Sequence, residues 1–182
     1  MNSKILILSA IVSAVVFSSC KKLFEDEELS MERVDYTGTE LRTDGYYYYM
    51  LQVEHNGIQE KRVFPIFLYR NGVSLSAASS FDCSEIEQKE NEFINGKLYH
   101  TINGYKILWS VFTISGKSIE FEGWDDLGGA HLYTKKVYGK ILNDTTFHIY
   151  QEHIDGIDKE CDRTYHFKQF SPKPDSTNRF IK

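Results

Sequence analysis

The sequence predicts a mainly β fold, a single antiparallel up-and-down β-barrel of about eight strands with one short helix, the alternative being a β-sandwich. Three observations carry this. Tyr and Phe number 12 each while Pro numbers 3, a composition suited to pleated, half-buried surfaces on which aromatic side chains pack well. Apolar runs of strand length alternate with turn pairs such as Asn71-Gly72, Gly116-Lys117 and Asn143-Asp144. An even number of such runs in hairpin order closes most simply into a barrel, which leaves no exposed edge.

At the amino end, Lys4 precedes a thirteen-residue run, Ile5 to Phe17, whose polar interruptions are Ser9 and Ser13. The small pair Ser18-Ser19 then leads into Cys20. Charge, apolar run and small residues in that order make an export signal, and the run falls short of the ~20 residues that span a bilayer. Phe17-Ser18-Ser19-Cys20, with Val16 beside it, resembles the lipobox of bacterial lipoproteins, whose cysteine is acylated and becomes the first residue of the mature chain. The resemblance is confined to the first 20 residues. It implies an acylated Cys20 and a protein of the cell envelope, held at a membrane, by expectation the outer one, without a spanning helix. Each buried CH₂ of the acyl chains contributes ~0.8 kcal/mol to that attachment. The alternative is an ordinary cleaved signal with a coincidental cysteine.

The expected organisation is a signal peptide over 1–19, an acylated acidic tether over 20–40, the barrel over 41–170 and an extended tail over 171–182. Cleavage leaves 163 residues with 20 basic and 26 acidic side chains, a net charge of −6, which argues against nucleic acid as a partner. The tether carries Glu25-Asp26-Glu27-Glu28. Such a cluster resembles the charged export signals of some surface-exposed lipoproteins of Gram-negative bacteria; a solvated spacer explains it equally well. With Cys20 committed to lipid, Cys83 and Cys161 remain as an even pair in an exported chain, hence a candidate disulfide. Closing their 78-residue separation would stabilise by ~4.5 kcal/mol in the chain-entropy picture. Two free, buried thiols are the alternative.

The strands follow in order. Tyr46 to Val53 opens the barrel and turns at Asn56-Gly57. Arg62–Arg70 and Val73–Ser79 flank Asn71-Gly72; with those two as the loop, Leu68 faces Leu75 and Ile66 faces Ala77, on the side of Phe64. Pro65 cannot donate to a ladder and belongs at a bulge or unpaired site. Asp82 to Ile94 is helical: Asp82 with Glu85, or Ser84 with Glu87, forms a capping box, Ile86, Glu90 and Phe93 share a side, and Gly96 stops it. Tyr105–Ile114 and Ser118–Trp124 meet around Gly116-Lys117, placing Ile114 opposite Ile119, Phe112 opposite Phe121 and Val111 opposite Glu122, with Trp109 opposite Trp124. Leu132–Leu142 and Thr145–His153 meet at Asn143-Asp144, which sets Tyr138 against Ile149 and Lys140 against Phe147. Cys161–Phe170 is the last strand.

Few motifs carry chemistry. His148 and His153 are five apart on one strand, on opposite faces unless a bulge intervenes. His55, His100, His131 and His166 form no HxH or HxxxH pair, so no metal site is expected. Asp125-Asp126 with Gly128-Gly129, and Asp155-Gly156-Ile157-Asp158, lack calcium-loop spacing and read as turns. Neither G-x-S-x-G nor a phosphate-binding glycine loop occurs, and no cofactor is expected. The aromatic surplus is the remaining clue: Tyr46, Tyr48, Trp109 and Trp124 are the candidate ligand-binding residues for a small apolar molecule, with ordinary packing as the alternative.

Strand order and size resemble lipocalin-type barrels of exported lipoproteins, although Asp44-Gly45-Tyr46 stands where such barrels open with Gly-x-Trp. The expectation is a non-enzymatic, membrane-anchored lipoprotein whose barrel binds a small apolar ligand. Its rivals are an interaction lipoprotein with a filled barrel and a hydrolase with an unrecognised site.

Overall fold

The computed structural model describes residues 25–55, 57–77, 80–95, 104–129 and 131–182. The leader, Cys20, Asn56, Gly96 and His100 lie outside the described residues. The strands are β1 (Gly45–His55), β2 (Ile58–Leu68), β3 (Val73–Ser76), β4 (Phe81–Asp82), β5 (Trp109–Ser115), β6 (Ser118–Asp125), β7 (Tyr133–Asn143), β8 (Thr146–Ile154) and β9 (Ile157–Gln169), with one α-helix, α1 (Ile86–Ile94). Every strand except β4 pairs antiparallel with its chain neighbours, and β1 pairs with both β2 and β9, closing an eight-stranded up-and-down barrel. The two-residue β4 is the extra strand, laid on β2.

Turn chemistry explains the hairpins. Asp155-Gly156 joins β8 to β9 with both φ values positive, 49° and 74°, the two-residue turn whose twist matches the flanking strands. Between β5 and β6 the Gly116-Lys117 loop gives the expected register, Ile114 opposite Ile119 and Phe112 opposite Phe121, with pairing ending at Ser110 and Gly123. Two hairpins differ from expectation by one residue. Between β2 and β3 the loop has three residues, because Tyr69 N–H donates to Val73 O at 3.0 Å and Gly72 takes φ 74°. Phe67 therefore faces Leu75, and Leu68 faces Ser74. Between β7 and β8 the loop is Asp144-Thr145 and pairing shifts by one residue between Asn143 and Ile141, so Gly139 faces Ile149 and Ile141 faces Phe147. That register is the better one: Lys140 leaves the interior, and the bare Gly139 makes room where a Cβ would stand 2.6 Å from Ile149 Cδ1. Pro65 lies where the partner of β2 changes from β3 to β4, the irregular position a proline requires.

Alternation along the strands creates two cores. The inward one holds Tyr47, Ile66, Leu68, Phe112, Ile119, Phe121, Ile141, Phe147 and Ile149. The outward one covers the β1–β2–β3–β5 side of the wall with Tyr46, Val63, Phe67, Val73, Leu75, Trp109 and Val111, roofed by Phe93 of α1 and by Phe170 and Ile181 of the tail. The Asp82–Glu85 capping box starts this helical stretch, and the expected side is the buried one: Phe93 and Ile86 face the wall while Glu90 accepts from Tyr46 Oη at 2.8 Å and pairs with Lys168 Nζ at 2.7 Å.

Both terminal segments are docked, which corrects their reading as a free tether and a departing tail. Asp26 and Glu27 bind the start of β7: Leu132 N–H donates to Asp26 Oδ1 at 2.9 Å and Thr134 N–H to Glu27 Oε2 at 2.7 Å. The chain then crosses β6, where the buried Glu122 accepts from Ser30 Oγ at 2.8 Å and from Met31 N–H. Residues 36–42 close the far end of the barrel. There Tyr36 packs edge-on against Phe112, Leu41 N–H donates to Tyr36 Oη at 2.8 Å, and Tyr47 Oη donates to Arg42 O at 3.1 Å. In the tail, Lys173 Nζ donates to Thr43 O at 2.5 Å and Leu68 O at 2.8 Å, and Tyr69 Oη donates to Pro174 O at 2.8 Å. Burial pulls the Lys173 ammonium down to about 8.

Candidate functional site

Among the described residues the barrel has a closed end, at the 70–72, 116–117 and 144–145 loops, and an open end, at the β1–β2 turn, the β6–β7 loop and Asp155-Gly156. At the open end the interior retains a cavity of about 140 Å³, lined by Ile66, Trp109, Phe121, Val137, Phe147 and Tyr165 together with Ser76, Ser110, Lys135, Glu152 and Arg163.

Its charged groups arrive through bulges. On β8, pairing passes from Glu152↔Val137 to Ile149↔Gly139, leaving Tyr150 as the extra residue. Without it, Ile149 and Glu152 would face opposite sides of the wall; with it, both face inward. On β9, pairing passes from Arg163↔Ile149 to Glu160↔Gln151, an irregularity beside Cys161 and Asp162. Arg163 and Glu152 consequently meet as an ion pair inside the mouth, with the guanidinium 5.8 Å from the Tyr49 ring centre. Burial by itself would weaken the Arg163 charge, but the hydrogen bond and charge of Glu152 outweigh it and strengthen the cation. The buried Arg163 Nε has no hydrogen-bond partner among the described residues. At the rim Lys135 Nζ meets Asp125 Oδ2 at 2.5 Å. Burial raises the Asp125 carboxyl, but the Lys135 hydrogen bond and charge hold it below the ordinary range. Burial also lifts the hydroxyls of Tyr49 and Tyr165 above the usual tyrosine value. The site is thus an apolar pouch whose carboxylates are both engaged by cations and whose wall carries the buried Arg163 Nε as a donor. Such a lining is chemically complementary to a hydrogen-bond acceptor on a small apolar body.

Of the four expected ligand residues, Trp109 and Trp124 border the cavity and Tyr46 and Tyr48 do not. Tyr46 and Tyr48 point outward, Tyr46 buried beneath α1 and Tyr48 packed beside it. Trp109 and Trp124 also pack in the outer core, and Trp124 Nε1 donates to Glu27 O at 2.7 Å. Strand parity places Tyr46 and Tyr48 on the face opposite the interior. Cys83 and Cys161 are free thiols, the first packed on the outer core and the second on the inner, so the barrel wall separates them and the expected bridge does not form. The Tyr150 bulge brings His148 and His153 to the same outer face, but each meets its own partner, Thr164 Oγ1 at 3.2 Å and Asp158 Oδ1 at 2.7 Å. No group of three His, Cys, Asp or Glu side chains suited to a metal occurs among the described residues. The Asp125-Asp126 loop uses its carboxylates for turns, accepting from Leu127 N–H at 3.5 Å and Gly128 N–H at 3.4 Å.

Glu152 and Arg163 escaped the sequence reading because a single inserted residue reverses strand parity. The usable trace was the failure of clean alternation over Phe147-His148-Ile149-Tyr150-Gln151-Glu152. Comparison with family models, characterised proteins and solved structures yields no match for this chain.

Proposed function

We propose that the protein is an acylated lipoprotein of the cell envelope, anchored through Cys20, whose barrel is a rigid, non-enzymatic interaction module rather than a carrier of large ligands. The single observation behind this reading is the filled interior. Phe112, Phe121, Ile66 and Leu68 occupy the axis with exposures between 1% and 9%. The remaining cavity of about 140 Å³ compares with the ~300–1,000 Å³ typical of ligand sites. The pairing of Asp125 with Lys135 supports the non-enzymatic part, since a carboxylate held ionised by an adjacent cation is a weak general base.

A second reading has its own observation. The orphan Arg163 Nε at an apolar pouch suits one small molecule with a ring-sized apolar body and an acceptor group, since cavities of ~150 Å³ admit benzene. In shape and strand order the barrel is lipocalin-like, which favours this reading over a purely structural one.

Fractionation tests the anchor. The full chain expressed in a Gram-negative host stays in the membrane pellet through high-salt washing, while the Cys20→Ser variant leaves it. Equal distribution of the two forms would overturn the anchored reading.

A further inference from the structure

We propose that the open end of the barrel rests on the bilayer surface, with the hairpin-tip residues Ile58, Leu127 and Ile157 seated among zwitterionic lipid headgroups. This rests on acylation of Cys20.

Two independent features meet at that end. The first is the exit of the chain. Asp26 is fastened at the start of β7 by Leu132 N–H and by Lys106 Nζ at 3.0 Å, beside the 126–132 loop. Five residues, 21–25, separate it from Cys20, so the acyl attachment lies within about 20 Å of the open rim even at full extension. The closed end stands a barrel's length further off, at the other end of the strands.

The second is the distribution of exposed apolar side chains. At the open end Ile58 is 64%, Leu127 52% and Ile157 65% exposed, and Tyr105 and Ile107 stand nearby at the start of β5. The closed-end loops carry Asn71, Lys117 and Asp144 instead, and the exposed apolar side chains beside them are Val34, whose backbone lies against Gly72, and Leu142. Exposed aliphatic residues at turn tips add nothing to the barrel's own core, whereas a surface of lipid headgroups and upper acyl chains accepts them. Charge selects the lipid. Asp126 and Asp155 flank two of the tips and are exposed, while Lys106 is already paired with Asp26. An anionic leaflet would repel such a rim; a zwitterionic one does not. The mouth of the cavity then faces the membrane, and whatever enters it comes from the lipid side.

Hydrogen–deuterium exchange of the acylated full chain on phosphatidylcholine vesicles tests this, with the Cys20→Ser mature chain mixed with the same vesicles as reference. The mass of the peptide beginning at Cys20 is read from the same sample. Amides of 126–129 and 154–158 slow by about threefold or more on the vesicle, while 115–118 and 143–146 exchange as in the reference. Combining Ile58→Asp, Leu127→Asp and Ile157→Asp, all at exposed tips, abolishes the protection without releasing the protein. Acylated Cys20 with equal exchange at both ends overturns the orientation and leaves the anchor standing. Protection confined to the closed end overturns it as well. An unmodified Cys20 overturns both.

Discussion

The buried tyrosine hydroxyls are the residues whose chemistry is most exposed to measurement. Tyr46 and Tyr47 are 1% exposed, Tyr69 lies under the tail, and Tyr165 lines the cavity. Burial raises all four above the ordinary tyrosine value, and for Tyr46 the Glu90 carboxylate adds to it. Because these pKa values are higher folded than unfolded, their contribution to stability is complete below pH ~10 and is lost as pH rises through the interval above it. In an absorbance titration at 295 nm these four therefore ionise above the ordinary tyrosine value, in a separate phase that appears only with loss of the β circular-dichroism signal. A single smooth phase with the β signal intact would contradict the burial of these four. At the same scale, the sequence made the aromatic content legible but not its sidedness. Tyr46 and Tyr47 are adjacent and equally apolar, and only pairing with Lys168 and Phe167 across the seam decides which one enters the barrel.

Among the elements, the docked amino-terminal strap is the least expected. Four consecutive acidic residues suggest a solvated spacer, and that holds only while no donors are near. Leu132 N–H, Thr134 N–H and Lys106 Nζ sit at the open end where Asp26 and Glu27 reach them. Those contacts join residues about a hundred positions apart, so no local pattern announces them. Further along the strap, Glu122 is 1% exposed on the outer face of β6 and accepts from Ser30 and Met31. Glu122→Ala removes the acceptor and leaves two donors unpaired, a loss of about 1–3 kcal/mol. Urea unfolding reads that loss, and trypsin then cuts after Arg33 faster than in the parent chain; unchanged stability and cleavage would show that the strap holds without Glu122. Hairpins tell the complementary story. Gly116-Lys117 was legible because a two-residue loop left one sensible register. The β7–β8 pair was not, because Gly139 and the Tyr150 bulge act together to keep Phe147 and Ile149 inside.

For the molecule as a whole, closure depends on a short seam. β1 pairs with β9 only over Gly45–Tyr48, against nine paired positions from Tyr47 to His55 with β2. The seam lies at the closed end, where residues 36–42 and Lys173 hold it, and the outer part of the β1–β2 hairpin stands clear of β9. Barrel and strand order were readable from the rhythm of turns, since eight apolar runs with short connections have few other ways to hide their edges. The two-core plan was not, because it needs both termini folded back over one wall. A filled barrel, Cys20 six positions before the docked Asp26 and an apolar rim at that same end are what the proposed account joins, in which acyl chains set location and the barrel presents its surfaces at a membrane. Its most direct test is the mass of the peptide that begins at Cys20 in protein extracted from the host membrane. The account predicts a chain starting at Cys20 and carrying a diacylglyceryl group with an amide-linked acyl chain; a free, unmodified Cys20, or a chain that begins at another residue, would contradict it.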